Sequence, residues 1–155
     1  MNIKNYIEKV LTVVTCIMMV IMVVGALWQV FSRYVLNDPS LFTEELLRFM
    51  LIWTAMLGAC YAFSTDKHLA LIFIKNKFDG KLKLMIDTFI DFMTMFFAGI
   101  ILVKGGLQLT MSTMKQLSPI LLLPMGLVYS VIPLSGIIII IVQILNIVKR
   151  MKKGE

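Results

Sequence analysis

Val10–Ser32 reads VLTVVTCIMMVIMVVGALWQVFS and carries no charged side chain. A bilayer core about 30 Å thick is crossed by roughly 20 apolar residues in a helix, so this stretch alone is long enough to span one. Three more apolar stretches follow. Phe49–Thr65 is uncharged, Phe92–Val103 extends an apolar run that opens near Leu84, and Gln116–Val148 is uncharged again. Of 155 residues 59% are hydrophobic, and four spans leave no length for a separate soluble domain. The fold class expected is an all-α integral membrane protein, one domain over residues 1–155. Its spans fall near 10–36, 44–64, 82–104 and 124–148.

The net charge of +6 would point to nucleic acid in a soluble protein, but its distribution points to topology. Lys4, Lys9, Lys67, Lys75, Lys77, Lys81, Lys83, Lys149, Arg150, Lys152 and Lys153 lie on one side of a four-span arrangement. Arg33, Arg48, Lys104 and Lys115 lie on the other. Loops rich in Lys and Arg stay in the cytoplasm, so both termini are expected there. The basic excess then serves orientation and contact with lipid headgroups, not nucleic acid. The first apolar run is too long for a signal peptide and lacks a clean small-x-small cleavage site, which makes it a retained first helix. Cys16 and Cys60 both fall inside spans and read as small packing residues.

Asn37-Asp38-Pro39-Ser40 breaks the first helix, because Asn, Asp and Ser bond their own backbone and proline disfavours helix in the residue before it. Thr43 followed by Glu44-Glu45 predicts the start of the second helix near Glu44, with acidic side chains at the positive end of the helix dipole. Between the second and third spans, His68–Ile74 is too short to cross and too apolar to sit free in water. It reads as an interfacial segment flanked by lysines, with a turn at Asp79-Gly80. Gly105-Gly106 loosens the far end of helix three. Helix four starts near Pro124, and Pro133 predicts a kink within it.

Charged groups at or inside a span are costly, so each is a candidate for function. The densest set is Gln29, Arg33, Asn37, Glu44, Glu45 and Arg48. Gln29, Arg33 and Asn37 are four apart and share one face of helix one, and the short turn lets Arg33 reach Glu44 or Glu45. Two uses lead, an ion-paired clip for the hairpin or a docking surface for another polypeptide; a proton or ion relay is the third, disfavoured because these groups sit near water and not at the membrane midplane. Asp87 and Asp91 share an arc with Lys83 and Thr94 on helix three and read as structural or as partner or lipid contacts. Trp53 is a further candidate contact. Gly58, with Gly25, Gly99 and Gly136, is a candidate for close helix packing. His68, the only histidine, has no second ligand at metal spacing.

No nucleophile arrangement, phosphate loop or metal-ligand cluster stands out, so the chain does not read as an enzyme. A self-sufficient proton-coupled exporter, four helices acting as a homodimer, is the alternative; it would be expected to carry a carboxylate in helix one, and Val10–Leu36 has none.

Gln29-x-x-x-Arg33-Tyr34-Val35-Leu36-Asn37, then Phe42-Thr43-Glu44-Glu45-Leu46-x-Arg48, Trp53 and Gly58-Ala59-x-Tyr61-Ala62, form a pattern across the first hairpin. This resembles the small membrane subunit of tripartite ATP-independent periplasmic (TRAP) transporters, the DctQ-like family. His68-Leu69, Leu123-Pro124, Tyr129 and Ile132-Pro133 extend the resemblance over nearly the whole chain. It implies an accessory subunit that braces a large membrane subunit and helps dock a periplasmic solute-binding protein. It also implies that sodium and an organic acid, such as sialic acid or a C4-dicarboxylate, are handled by the large subunit. No cofactor is then expected on this chain.

Overall fold

The computed structural model describes residues 3–65 and 81–153. The segment read as interfacial, His68–Ile74, and the turn at Asp79-Gly80 lie outside the described residues. Among the described residues the regular structure is helical, apart from one isolated antiparallel bridge between Leu117 and Pro124. Among the described residues four helical stretches are long and apolar enough to cross a membrane: Lys4–Tyr34, Leu41–Ser64, Thr88–Thr113 and Met125–Val148.

Helix α1 covers Ile3–Tyr34 and so begins seven residues earlier than the apolar pattern indicated. Its first turns are polar but locally paired: Lys4 meets Glu8 at 3.6 Å, and Thr12 Oγ1 donates to the Glu8 carbonyl at 2.8 Å. One carboxylate therefore does lie in helix one, close to its start. The helix ends in a turn in which Asn37 adopts φ 53°, a left-handed conformation that Asn tolerates better than most side chains. Ser32, almost fully buried, closes that turn. Its carbonyl accepts from the Asp38 N–H at 3.1 Å, and its hydroxyl from the Ser40 N–H at 3.4 Å.

Helix α2 covers Leu41–Ser64 with Ser40 at its N-cap, one turn before the predicted start. Thr43 is not the cap. Its hydroxyl bonds that of Ser40 at 2.8 Å, so the two serve each other and neither closes a free amide. The two helices form an antiparallel hairpin, which defines a hairpin end and, opposite it, a terminal end.

The third span is one continuous rod of three pieces: α3 (Lys81–Phe97), a π-helical segment (Ala98–Gly105) and α4 (Gly106–Thr113). Gly105-Gly106 does not loosen it. Both glycines take ordinary helical angles, with φ of −64° and −63°. Gly106 is needed for contact instead, since a Cβ there would sit 2.8 Å from Pro133 Cδ. The rod runs nine residues beyond Lys104, which places that lysine inside the span and not in a loop.

The fourth span divides into α5 (Met125–Tyr129) and α6 (Val131–Lys153), with Pro124 at the N-cap of α5. The interruption falls at Ser130. Pro133 occupies the first turn of α6, where a missing N–H costs little. Gly136 lets α6 approach the π-segment, for an added Cβ would lie 2.8 Å from Leu102 Cβ and 3.2 Å from the Ala98 carbonyl. Gly126 meets the Thr110 carbonyl in the same way, at 2.5 Å. Gly58 does not mark a packing point. A Cβ on it meets nothing within 4 Å among the described residues, and the same holds at Gly99.

The core gathers Leu11, Leu57, Cys60, Ala98, Val131 and Ile139, one or more from each span. The fourth span is the most buried and α1 the least. Val13, Ile17, Val20, Val24 and Leu27 leave a broad apolar face of α1 uncovered.

Candidate partner-facing site at the hairpin end

Glu44 is the centre of the polar group. Gln29 Nε2 donates to its Oε2 at 3.4 Å, Arg33 Nη2 lies 4.0 Å from the same oxygen, and Arg48 Nη2 donates to Oε1 at 3.3 Å. Helix geometry explains the convergence: Gln29 and Arg33 are one turn apart on α1, and Glu44 and Arg48 one turn apart on α2. The side chains are open to their surroundings, with Arg33 52%, Glu44 44% and Arg48 68% exposed. Exposed pairs of this kind contribute about 0–1 kcal/mol, too little to make the hairpin depend on them. What the arrangement does is chemical. Two guanidiniums share one carboxylate, which leaves donors to spare on an exposed surface whose adjoining turn also carries the exposed Asp38.

Two residues grouped with this set by sequence go elsewhere. Asn37 belongs to the turn, where its contribution is the φ 53° backbone. Glu45 turns inward and is only 7% exposed. Its Oε2 accepts from the backbone N–H groups of Ile120 at 3.0 Å and Leu121 at 2.8 Å. It therefore does not join the arginine cluster but pins the loop between the third and fourth spans against α2. That loop is otherwise held by Ser118, whose N–H donates to the Leu123 carbonyl at 2.9 Å and whose hydroxyl accepts from Leu123 N–H at 3.2 Å. Leu122 between them takes φ 51°, a backbone that a branched residue adopts only when its neighbours impose it.

Trp53 is half-buried against the core, and its Nε1 donates to the Val128 carbonyl at 3.1 Å, so its polar edge ties α2 to α5. Asp91 is not offered to lipid or to a partner. It is 3% exposed, between α3 and α6, where Gln143 Nε2 donates to its Oδ1. A carboxylate in hydrocarbon is tolerable only when so satisfied. The Asp87 side chain lies outside the described residues.

The terminal end holds a second polar link that the sequence did not suggest. Ser64, fully buried, donates to Glu8 Oε1 at 2.9 Å. Spacing along one helix shows neither this pair nor Asp91–Gln143, because both join residues from distant parts of the chain. No group of three metal-ligating side chains occurs among the described residues.

These features can be set beside known proteins. The chain is 27% identical over 151 residues to the sialic acid TRAP transporter small permease protein SiaQ of Vibrio cholerae, covering 97% of this chain and 85% of that one. It is 26% identical over 157 residues to a Haemophilus influenzae protein assigned as a TRAP transporter small permease, covering 99% and 97%. A 63-residue stretch, 41% of this chain, is 29% identical to part of the sialic acid TRAP transporter permease protein SiaT of Haemophilus influenzae, of which it covers 10%. The model of the DctQ component of tripartite ATP-independent periplasmic transporters matches residues 22–153, from the middle of α1 to the end of α6, and the chain belongs to that family.

Proposed function

We propose that this chain is the small subunit of a sodium-coupled TRAP uptake system for an organic acid. It braces a large transport subunit and presents its hairpin end to a periplasmic solute-binding protein. The observation that carries the docking role is the Glu44 cluster, an exposed pair of guanidiniums with donors to spare that the fold itself does not need. Sialic acid is the first candidate solute, since SiaQ and SiaT are named for it; C4-dicarboxylates and similar acids are the others. Sodium and solute are handled by the large subunit, and this chain binds no cofactor. The termini lie in the cytoplasm of a bacterial inner-membrane protein, with the hairpin end outside. Lys4, Lys9, Lys149, Arg150, Lys152 and Lys153 flanking the terminal end support that orientation.

Gentle detergent extraction of the tagged chain, followed by mass spectrometry, tests the subunit role. A stoichiometric, much larger polytopic protein should co-purify. A stable homo-oligomer that drives flux alone in liposomes would overturn the reading in favour of an exporter. In the intact system, Arg33→Ala should lower solute uptake about tenfold while leaving solute capture by the soluble component unchanged. Melting of the small subunit should move by no more than about 1 kcal/mol, as expected of an exposed pair. Wild-type uptake in this variant would count against docking at the cluster.

A further inference from the structure

Lys104 stands inside the third span, nine residues from its end at Thr113 and sixteen from Thr88. At 1.5 Å per residue it lies about 13 Å from the nearer end and about 24 Å from the other. The span is thus longer than the hydrocarbon core of about 30 Å, and with its middle at the bilayer midplane the backbone at this position lies about 5 Å from that plane. The neighbouring contacts agree. Gly106, two residues on, packs on Pro133 of α6, and Leu102, two residues before, packs on Gly136. Lys104 projects from the opposite face and is exposed.

Among the described residues its ammonium makes no ion pair. Nor can it reach water easily. Helical side chains lean toward the helix N-terminus, which here is the more distant surface, and a four-carbon stem turned the other way falls short of the nearer one. Gln108 and Ser112 follow at successive turns and are also exposed. With Val103, Leu107 and Met111 they line a shallow open groove of about 690 Å³ along the helix. An unpaired cation at this depth is costly, and in membrane proteins such groups pair with an opposite charge.

We infer that this Lys104–Gln108–Ser112 face is the seat of a transmembrane helix from another polypeptide that carries a carboxylate near the bilayer midplane. On the function proposed above, on which this rests, that polypeptide is the large transport subunit. A lipid phosphate does not fit, because phosphates lie at the bilayer surface. A second copy of this chain does not fit either. Two such faces would bring Lys104 against Lys104, and the described carboxylates are buried (Glu45, Asp91) or stand in the hairpin turn or near span ends (Asp38, Glu44, Glu8).

An apolar carbodiimide applied to membranes containing the whole system tests this. It activates a carboxylate, the Lys104 amine displaces the activated group to form an amide, and the carboxylate oxygen leaves as the urea. A covalent product between this chain and the large subunit, linked at Lys104, is expected. Lys104→Met should abolish the product and lower co-purification of the large subunit at least fivefold, with the melting of the isolated chain unchanged. Lys104→Arg should restore co-purification without restoring the product. A product joining two copies of this chain, or one on a serine headgroup, would overturn the inference. Full recovery of the large subunit with Lys104→Met and no product would do so as well. If wild-type chain brings down no large subunit at all, the parent function fails, and that result is distinct from the others.

Discussion

Gly126→Ala should strip the fold of its junction between the third and fourth spans, while Gly58→Ala should be harmless. The added methyl at Gly126 would lie 2.5 Å from the Thr110 carbonyl and 3.0 Å from Met114 Cα. Both are backbone positions, so no side-chain rotation relieves the contact. α5 would have to move away from α4, and with it the Trp53 hydrogen bond to Val128. Overpacking of this kind costs about 1–3 kcal/mol, and displacement of a short helix anchored at few points puts this site at the upper end. At Gly58 nothing stands within 4 Å among the described residues, and alanine is the better helix former by about 0.5–1 kcal/mol. Thermal melting of the detergent-solubilised chain reads both. A Gly126→Ala protein as stable as wild type would mean that the spans do not approach there as described.

The contrast between these two glycines shows what a sequence of this type discloses. Four spans were legible, because composition alone decides how much chain a bilayer can hold. Their ends were harder to read. Lys104 and Gly105-Gly106 look like a boundary to any local rule, yet the helix continues, and Gly106 is there to receive Pro133. Lys4 and Glu8 look like a polar tail, yet they pair within the first turns of α1. The candidate site divided along similar lines. The residues of Glu44, Arg33, Gln29 and Arg48 could be brought together by helical spacing and a short turn. Adjacent residues on a helix face about 100° apart, so no spacing rule shows which of Glu44 and Glu45 meets Arg33. The answer depends on the loop 75 residues away that Glu45 holds. Asp91 was visible as one of a polar stripe, but its partner Gln143 is 52 residues distant and unremarkable by itself.

Glu45 is therefore the residue whose loss should separate bracing from docking. Glu45→Ala leaves the amides of Ile120 and Leu121 without their acceptor. Hydrogen bonds to a charged group contribute about 1.5–3 kcal/mol each, so removing two should cost about 3 kcal/mol or more. Because both amides donate to the same oxygen, Glu45→Gln keeps an acceptor in place and should cost roughly half as much. Hydrogen exchange at Ile120 and Leu121 reports the loop directly, and it should quicken strongly in the alanine variant and weakly in the glutamine variant. Glu44→Gln, one residue earlier but 44% exposed, should leave that exchange and the melting temperature nearly untouched. Any effect it has should appear in association with the soluble component. If Glu44→Gln instead frees the loop, or Glu45→Ala leaves it protected, then the two carboxylates do not divide their work as the geometry indicates. In that case the arginine cluster would be part of the brace and not a surface held ready by it.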